Sequence, residues 1–286
     1  MEYYKDNNGS WAIITDSSCD LFNIPGGEGI QYAQAPFMIR IGDRDYIDND
    51  SLDVDGMIDD MEAESTACRT ACPSPAAWMD YFGKADNIIL ITITANMSGS
   101  FNSAMTALKM AEEEYPDKKI YALNSKSTGP GLALCAEKAV ELIKQGLPFD
   151  EITAQLEEFV NKLRTVFALC SFENLIKNGR VKKIAGFVAG KLGLWGIGIG
   201  DPEGRIKMKG LARGPLHALS TIVADMKENL YNGGKVIISH CQNLEMAEKL
   251  KKKIKEAWDT AEVDILTTRG LDSFYAERHG LIVCYL

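Results

Sequence analysis

The sequence lacks both an excess of basic residues and any long apolar run. Its 31 lysines and arginines are outnumbered by 40 aspartates and glutamates, which gives a formal net charge of −9. Because nucleic-acid-binding domains usually present a basic face, nucleic acid is not expected as a partner. The apolar stretches are far shorter than the ~20 residues that a membrane-spanning helix needs. Stable insertion into a membrane is therefore not expected either.

The amino terminus also lacks the features of a secretory signal. It begins MEYYKDNNGSW, without the basic start and apolar core of a signal peptide. The 7 cysteines are scattered and odd in number, which is typical of reduced thiols rather than of a disulfide framework. The sequence therefore predicts a soluble, cytoplasmic protein.

Motifs that bind metals are missing as well. The histidines, His217, His240 and His279, lie far apart, and no second pair of ligands accompanies Cys68 and Cys72. A zinc site needs about four such ligands brought together. No metal site is predicted.

Phosphate-binding and nucleophile motifs are also missing. Gly186 and Gly190 are separated by three residues rather than four, and neither Ser nor Thr follows Lys191, so this segment is not a P-loop. Residues 193–200 are rich in glycine but do not form a dinucleotide-binding fingerprint. The nucleophile pattern G-x-S-x-G is absent from the sequence. No cofactor is expected, and nothing in the sequence positions a catalytic triad.

Short apolar runs alternate with helical patterns over the first part of the chain. This order predicts an α/β domain over residues 1–165, with a parallel sheet and flanking helices. The predicted strands are residues 11–15, a strand pair within 31–48, 88–94 and 120–123. The predicted helices are residues 51–62, 100–114, 132–144 and 150–164, and residues 70–75 are predicted to be an irregular loop.

Residues 166–286 show a different order. A mostly apolar helix is predicted over residues 181–194, and glycine-rich strands flank a turn at residues 202–204. Further strands and amphipathic helices follow, which predicts an α+β domain. The sequence thus indicates two domains with a boundary near residue 165.

Polar turns follow several of the predicted parallel strands. Asp16 and Ser17 follow the first strand, Ser98-Gly99-Ser100 follows another, and Ser125 lies in a third such loop. Ligands of parallel sheets usually bind beyond the carboxyl ends of the strands. A helix that starts at Ser100 would offer unpaired N–H groups to a carboxylate or a phosphate. The same serines could instead simply cap the helix, and the local sequence leaves both interpretations open.

Two arginines next to glycines, Arg180 and Arg213, are further candidates for binding an anion. Arginine has a planar fork of donors that matches a carboxylate or a phosphate. A surface location without a ligand is an equally good interpretation of either residue.

Six segments occur in the order seen in the DegV family of fatty-acid-binding proteins. They are Ile14-Thr15-Asp16-Ser17 with Asp20-Leu21; Pro36, Asp43, Tyr46 and Asp48; Thr70-Ala71-Cys72-Pro73-Ser74; Ser98-Gly99-Ser100-Phe101; Asn124-Ser125-Lys126-Ser127; and Phe172-Glu173-Asn174-Leu175 with Asn178-Gly179-Arg180-Val181. No single segment is specific, but their common order is. The chain resembles this family along nearly its whole length.

The resemblance implies that one long-chain fatty acid, of about 14 to 18 carbons, is buried between the two domains. Thr70 and Ser98, with Gly99, would hold its carboxylate, and Arg213 would lie near the head group. The helix over residues 181–194 would line part of the acyl tunnel. Polar residues that are candidates for supporting roles are Ser17, Ser100, Ser125, Arg180 and His279.

The resemblance also implies a role for a partner. Family members deliver the bound acyl group to the catalytic subunit of a fatty acid kinase and do not catalyse the reaction themselves. The alternative is a small-molecule kinase or hydrolase that acts at the Ser98 turn.

The chain departs from the family pattern in two places. The family often ends with His-x-Gly-Pro-Gly, whereas Ala276 stands here where that histidine would be if Gly280 aligns with the last glycine. His279 would substitute only if the loop shifts. A second segment, residues 195–198, replaces a stretch that usually carries proline. Both departures bear on the kinase partner more than on lipid binding, because Thr70 and Ser98 are unchanged.

Overall fold

The computed structural model describes residues 5–6, 9–182 and 193–286. Most of the helix predicted over residues 181–194 lies outside these described residues, and Leu194 belongs to a strand. The described strands are, in chain order, β1 Lys5–Asp6, β2 Gly9–Asp16, β3 Gln31–Ala35, β4 Met38–Ile41, β5 Arg44–Ile47, β6 Arg69–Ala71, β7 Asn87–Thr92, β8 Lys119–Asn124, β9 Arg164–Leu169, β10 Leu194–Gly200, β11 Ile206–Arg213, β12 Gly234–His240, β13 Ala261–Thr267 and β14 Leu281–Tyr285.

The helices lie between these strands. They are α1 Val54–Ala63, α2 Pro75–Met79, α3 Ser100–Glu114, α4 Pro130–Lys144, α5 Phe149–Lys162, α6 Glu173–Lys177, α7 Pro215–Glu228, α8 Leu244–Ala257 and α9 Gly270–Ala276, with one 3-10 turn at Phe82–Lys84. In the described parts of the chain, no helix is both long enough and apolar enough to cross a bilayer.

The first sheet contains the parallel strands β3, β2, β7 and β8 in that order, and β1 pairs with β2. Successive side chains of a strand point to opposite faces. Trp11 and Ile13 therefore pack with α4 and α5, while Ala12 and Ile14 pack with α2 and α3. Because helices cover both faces, all six residues of β7 are buried. The predicted parallel sheet with flanking helices is confirmed.

The second sheet has the order β11-β10-β9-β14-β12-β13 and is antiparallel except for the pair β12 and β13. Helices α7 and α8 cover one face. The other face carries Phe167 and Ile282, which pack against α1, α9 and strand β4 from the first part of the chain. This is the predicted second α+β unit. The exact boundary near residue 165 stays a prediction.

Local structure differs from the sequence prediction in three segments. The first strand of the pair predicted within residues 31–48 is divided at Pro36, which has no N–H to continue a ladder of hydrogen bonds. As a result β3 joins the parallel sheet, whereas β4 pairs with β5 and β6. Thr70, predicted to be in a loop, lies on β6. Helix α9 was not predicted, because its seven residues are too few to show a clear helical period.

Candidate ligand-binding site

Asp16, at the carboxyl end of β2, organises the polar edge of the first sheet. Its side chain is fully buried. One carboxylate oxygen accepts hydrogen bonds from the Ile93 N–H at 2.9 Å and the Ser100 hydroxyl at 2.6 Å. Burial raises the pKa of Asp16, while the hydrogen bonds from Ser100 and Ser18 lower it. Ser100 therefore fixes the start of α3 against β2 and is not free to hold a ligand directly.

The Ser98-Gly99-Ser100 turn lies against the segment that follows Thr70. A Cβ atom added at Gly99 would stand 3.3 Å from the sulfur of Cys72. The Ser98 oxygen accepts a hydrogen bond from the Ser100 N–H at 3.2 Å. This is a local turn contact and not a side-chain cap, because Gly99 is the N-cap residue of α3. It leaves the Ser98 hydroxyl proton free to donate. The turn thus holds an available donor next to the segment that follows Thr70.

Thr70 meets a tyrosine that the sequence did not single out. Its hydroxyl oxygen lies 2.8 Å from the hydroxyl of Tyr275 on α9. Ala276, the residue after Tyr275, stands where the family pattern has a histidine. Tyr275 therefore supplies a polar group beside the place where that histidine was expected. In the sequence, Tyr275 could have been found as a tyrosine with a polar hydroxyl directly before the position where the family histidine is missing.

An apolar cavity lies between the first sheet and the second. Ile93 and Met97 contribute one wall, Phe167, Leu169 and Ile282 contribute another, and Tyr275 lies on its border. The cavity volume is about 60 Å³, which is below the roughly 300–1,000 Å³ of small-molecule pockets. The apolar walls therefore lie close together, and the cavity is narrow.

The glycine-rich strand β10 makes room for the aromatic wall of this cavity. A Cβ atom added at Gly198 would stand 2.2 Å from Cζ of Phe167, and one at Gly196 would stand 2.2 Å from Cε2 of Phe172. The two rings lie 6.2 Å apart. Only glycine lets rings lie this close to the strand. The glycines that matched no nucleotide motif thus have a packing role beside the cavity.

Two of the predicted supporting serines take part in buried hydrogen bonds of the fold. The Ser17 hydroxyl donates to Asp48 at 2.8 Å and accepts from the Phe37 N–H at 3.0 Å. The Ser125 oxygen accepts from the Ser127 N–H at 3.1 Å. Both serines hold loops at the edge of the first sheet, and the structure does not place either on the cavity wall.

The predicted arginines and His279 lie in three different places. Arg180 donates from Nε to the carbonyl of Met97 at 3.0 Å and so supports the residue before Ser98. Arg213 is exposed at the far end of β11, seven residues from Ile206, or roughly 23 Å along a strand. His279 is exposed, has a φ of 74° and donates from its N–H to the carbonyl of Cys241. Gly99 lies beside Cys72, two residues after Thr70. The residues that line the cavity do not include Thr70, Ser98, Gly99, Arg213 or His279.

A family model described as "Uncharacterised protein, DegV family" matches residues 10–277. The chain belongs to the DegV family. Along with this match, the chain is 36% identical over 277 residues to a DegV domain-containing protein of Streptococcus gordonii, covering 96% of this chain and 99% of that protein.

Two solved DegV-type structures are similar to this chain over nearly their whole lengths. A DegV family protein from Eubacterium eligens, loaded with heptadecanoic acid, has a TM-score of 0.92 and 35% identity, covering 96% of this chain and 99% of that one. The Fatty Acid Kinase (Fak) B3 protein of Streptococcus pneumoniae, loaded with linoleic acid, has a TM-score of 0.93 and 36% identity, covering 96% and 98%.

The second departure of this DegV chain from the family pattern lies within strand β10. Residues 196–199 pair with β9 on one side, and 194–200 pair with β11 on the other. Proline cannot donate to a ladder in such a central strand. The sequence Trp195-Gly196-Ile197-Gly198 thus suits a fully paired strand beside the cavity.

Proposed function

We propose that this DegV protein binds one long-chain fatty acid in the cavity between its two sheets. The observation that carries the proposal is a narrow apolar cavity bordered by Tyr275, whose hydroxyl is hydrogen-bonded to that of Thr70. Its relatives from Eubacterium eligens and Streptococcus pneumoniae were crystallised with heptadecanoic and linoleic acid. A cavity of this shape and a ligand of this class support the same function.

The acyl chain would provide most of the affinity. Burying about 15 methylenes at about 0.8 kcal/mol each gives roughly 12 kcal/mol gross. Loss of translational and conformational freedom offsets a large part of this gain. Phe167 and Leu169 on β9 and Ile282 on β14 would form the wall against which the chain packs.

The carboxylate would be held by Thr70, Ser98 and the added Tyr275. A carboxylate that leaves water needs donors, or it takes up a proton. In the hydrogen bond between Thr70 and Tyr275, either hydroxyl can be the donor, so one of them retains a proton for the ligand. Gly99 precedes the first turn of α3, whose N–H groups carry partial positive charge. The role of Arg213 stays a prediction from the sequence.

We further propose that this protein presents the fatty acid to a fatty acid kinase catalytic subunit and does not itself catalyse the transfer. The similar Streptococcus pneumoniae protein bears the name of such a kinase system. In this chain the Ser98 oxygen accepts from the backbone of Ser100, which suits a binding group. The cytoplasmic location predicted from the sequence belongs to this proposal.

A series of saturated fatty acids tests the proposed function. We expect the Kd to fall by roughly fourfold for each added methylene until the cavity is filled, because each buried methylene contributes about 0.8 kcal/mol. Calorimetry or displacement of a fluorescent fatty acid measures this for decanoate, laurate, myristate and palmitate. Equal affinities along the series, or no binding of palmitate, would show that the cavity does not hold an acyl chain.

Filling the space under Phe167 should reduce the affinity for long chains. In Gly198→Ala the new methyl would meet the Phe167 ring and push it into the cavity. The displaced ring would fill space that the acyl chain needs, and each methylene that can no longer be buried loses about 0.8 kcal/mol, so we expect palmitate to bind at least about fourfold more weakly. The matched control is Gly210→Ala on neighbouring β11, where nothing lies within 4 Å of the added Cβ. Equal losses in the two variants would refute the placement of the chain beside Phe167.

A further inference from the structure

Two buried carboxyl groups, one from each half of the chain, meet at Gly129. Asp20 follows strand β2 of the first sheet, and Asp272 lies on helix α9 between two strands of the second. A Cβ atom added at Gly129 would stand 2.1 Å from Oδ2 of Asp272 and 2.6 Å from Oδ2 of Asp20. Since both oxygens lie this close to a single point, they are neighbours.

These two oxygens have no hydrogen bond of ordinary geometry among the described residues, although the Ser239 hydroxyl, itself without a partner, lies near enough to Asp20 to lower the pKa of that carboxyl. The other oxygen of each group is occupied: Asp20 Oδ1 accepts from the Arg269 N–H at 2.8 Å, and Asp272 Oδ1 accepts from the Thr128 hydroxyl at 2.6 Å. The side chains of Asp20 and Asp272 are almost completely buried. Two ionised carboxylates would repel each other strongly in such a place. One proton between the two free oxygens converts this repulsion into a charge-assisted hydrogen bond.

Other titratable groups face the pair from the surrounding elements. Burial raises the pKa of Asp20 to about 7 and raises the pKa of Asp272 well above its usual value. Asp16 and Asp48 oppose ionisation of Asp272, whereas Arg269 favours ionisation of Asp20. The groups around the pair are Asp16, Cys19, Asp48, Cys241 and Arg269.

The neighbouring carboxyl group of Asp48 is itself supplied with partners. Asp48 accepts hydrogen bonds from the Ser17 hydroxyl and from the N–H groups of Gly270 and Leu271. The guanidinium of Arg269 donates from Nη1 to Asp50 at 2.8 Å, whereas its Nε and Nη2 have no hydrogen-bond partner among the described residues. Asp20 and Asp272 are therefore the two carboxyl groups of this cluster whose facing oxygens are close enough to share a proton.

We propose that Asp20 and Asp272 share one proton across the two halves of the chain, and that loss of this proton above neutral pH speeds release of the ligand from the cavity. Asp272 and Thr128 both line the cavity, so repulsion at Gly129 would displace part of its wall. The release step rests on the proposed function, whereas the shared proton does not.

The direction of the pH effect follows from linkage. A carboxyl in the unfolded chain has a pKa of about 3.9, and the folded state holds its proton to higher pH. From about pH 4 up to the pH at which the folded state loses its shared proton, the folded state binds more protons than the unfolded state, so the free energy of unfolding falls as the pH rises. Below that range both the folded and the unfolded state are protonated, and the contribution of the shared proton to the free energy of unfolding no longer changes.

Replacing Asp20 by asparagine should mimic the protonated pair. In Asp20→Asn the amide oxygen can still accept from the Arg269 N–H, and the amide N–H group can donate to Asp272. Between about pH 6 and about pH 9, we expect release of a bound fluorescent fatty acid from the unaltered protein to become severalfold faster and its melting temperature to fall. Both changes should be smaller in Asp20→Asn, while the exposed control Asp259→Asn should behave like the unaltered protein.

Infrared spectroscopy of the unaltered protein tests the proton itself. A carbonyl band of a protonated carboxylic acid should be present near neutral pH, disappear as the pH rises, and be missing in Asp272→Asn. Absence of that band, or a release rate with the same pH dependence in Asp20→Asn as in the unaltered protein, would overturn the proposal. A protein that takes up no fatty acid would contradict the proposed function, and the infrared band would still decide whether the proton is shared.

Discussion

Replacing Thr70 and Ser98 together by alanine is expected to weaken fatty-acid binding by roughly a hundredfold. Each hydroxyl would donate a hydrogen bond to the carboxylate, and hydrogen bonds to charged groups contribute about 1.5–3 kcal/mol each. The loss of both then raises the Kd by at least about a factor of a hundred. Because both side chains are only partly buried, the double variant should stay folded. Titration with labelled palmitate, together with a thermal melt, measures the two effects separately.

Two further variants make this test specific. Tyr275→Phe removes the hydroxyl next to Thr70 and keeps the ring, so we expect a smaller loss of affinity, about tenfold. Thr106→Ala removes an exposed hydroxyl that only donates to the carbonyl of Asn102, and it should bind palmitate normally. If the double variant and Thr106→Ala bind equally well, the carboxylate lies elsewhere.

Gly129→Ala is expected to destabilise the fold by about 3 kcal/mol or more. Gly129 has φ 43° and ψ −108°, a conformation that residues with a side chain rarely adopt. Its added methyl would also collide with the oxygens of Asp20 and Asp272, neither of which can move away without exposing a buried carboxyl. Chemical denaturation at neutral pH measures the difference in the free energy of unfolding.

The matched control for this stability test is Gly179→Ala. Gly179 has a φ of 72°, and nothing lies within 4 Å of an added Cβ atom. Its replacement should cost about 1 kcal/mol, from the backbone conformation alone. If Gly129→Ala were no more harmful than Gly179→Ala, the two carboxyl groups would not meet as the structure shows.

The sequence predicted the first sheet well because the relevant signals are local. The uninterrupted apolar run in β7 and the helix from Ser100 to Glu114 depend on neighbouring residues, and both lie where the pattern indicated. The position of Ser98 between them follows directly. The hydrogen-bond partner of Ser100, in contrast, is 84 positions away at Asp16, and no local pattern shows it.

The rest of the site depends on contacts between distant parts of the chain. Thr70 and Tyr275 are separated by 205 positions, and Tyr275 lies on a helix too short to show a helical period. Gly196 and Gly198 matched no ligand motif because their role is steric, under rings that precede them in the chain. Resemblance to the DegV family predicted Thr70 and Ser98 as carboxylate-binding residues, but it did not indicate Tyr275 or the pair of Asp20 and Asp272.

The most direct test of the central claim is the mass of the intact protein under native conditions, compared with its mass after denaturation. We expect the native mass to exceed the denatured mass by one fatty acid of about 14 to 18 carbons, and solvent extraction should recover that acid. A protein that carries no lipid after purification, and whose native mass does not increase on incubation with oleate or palmitate, would contradict the account.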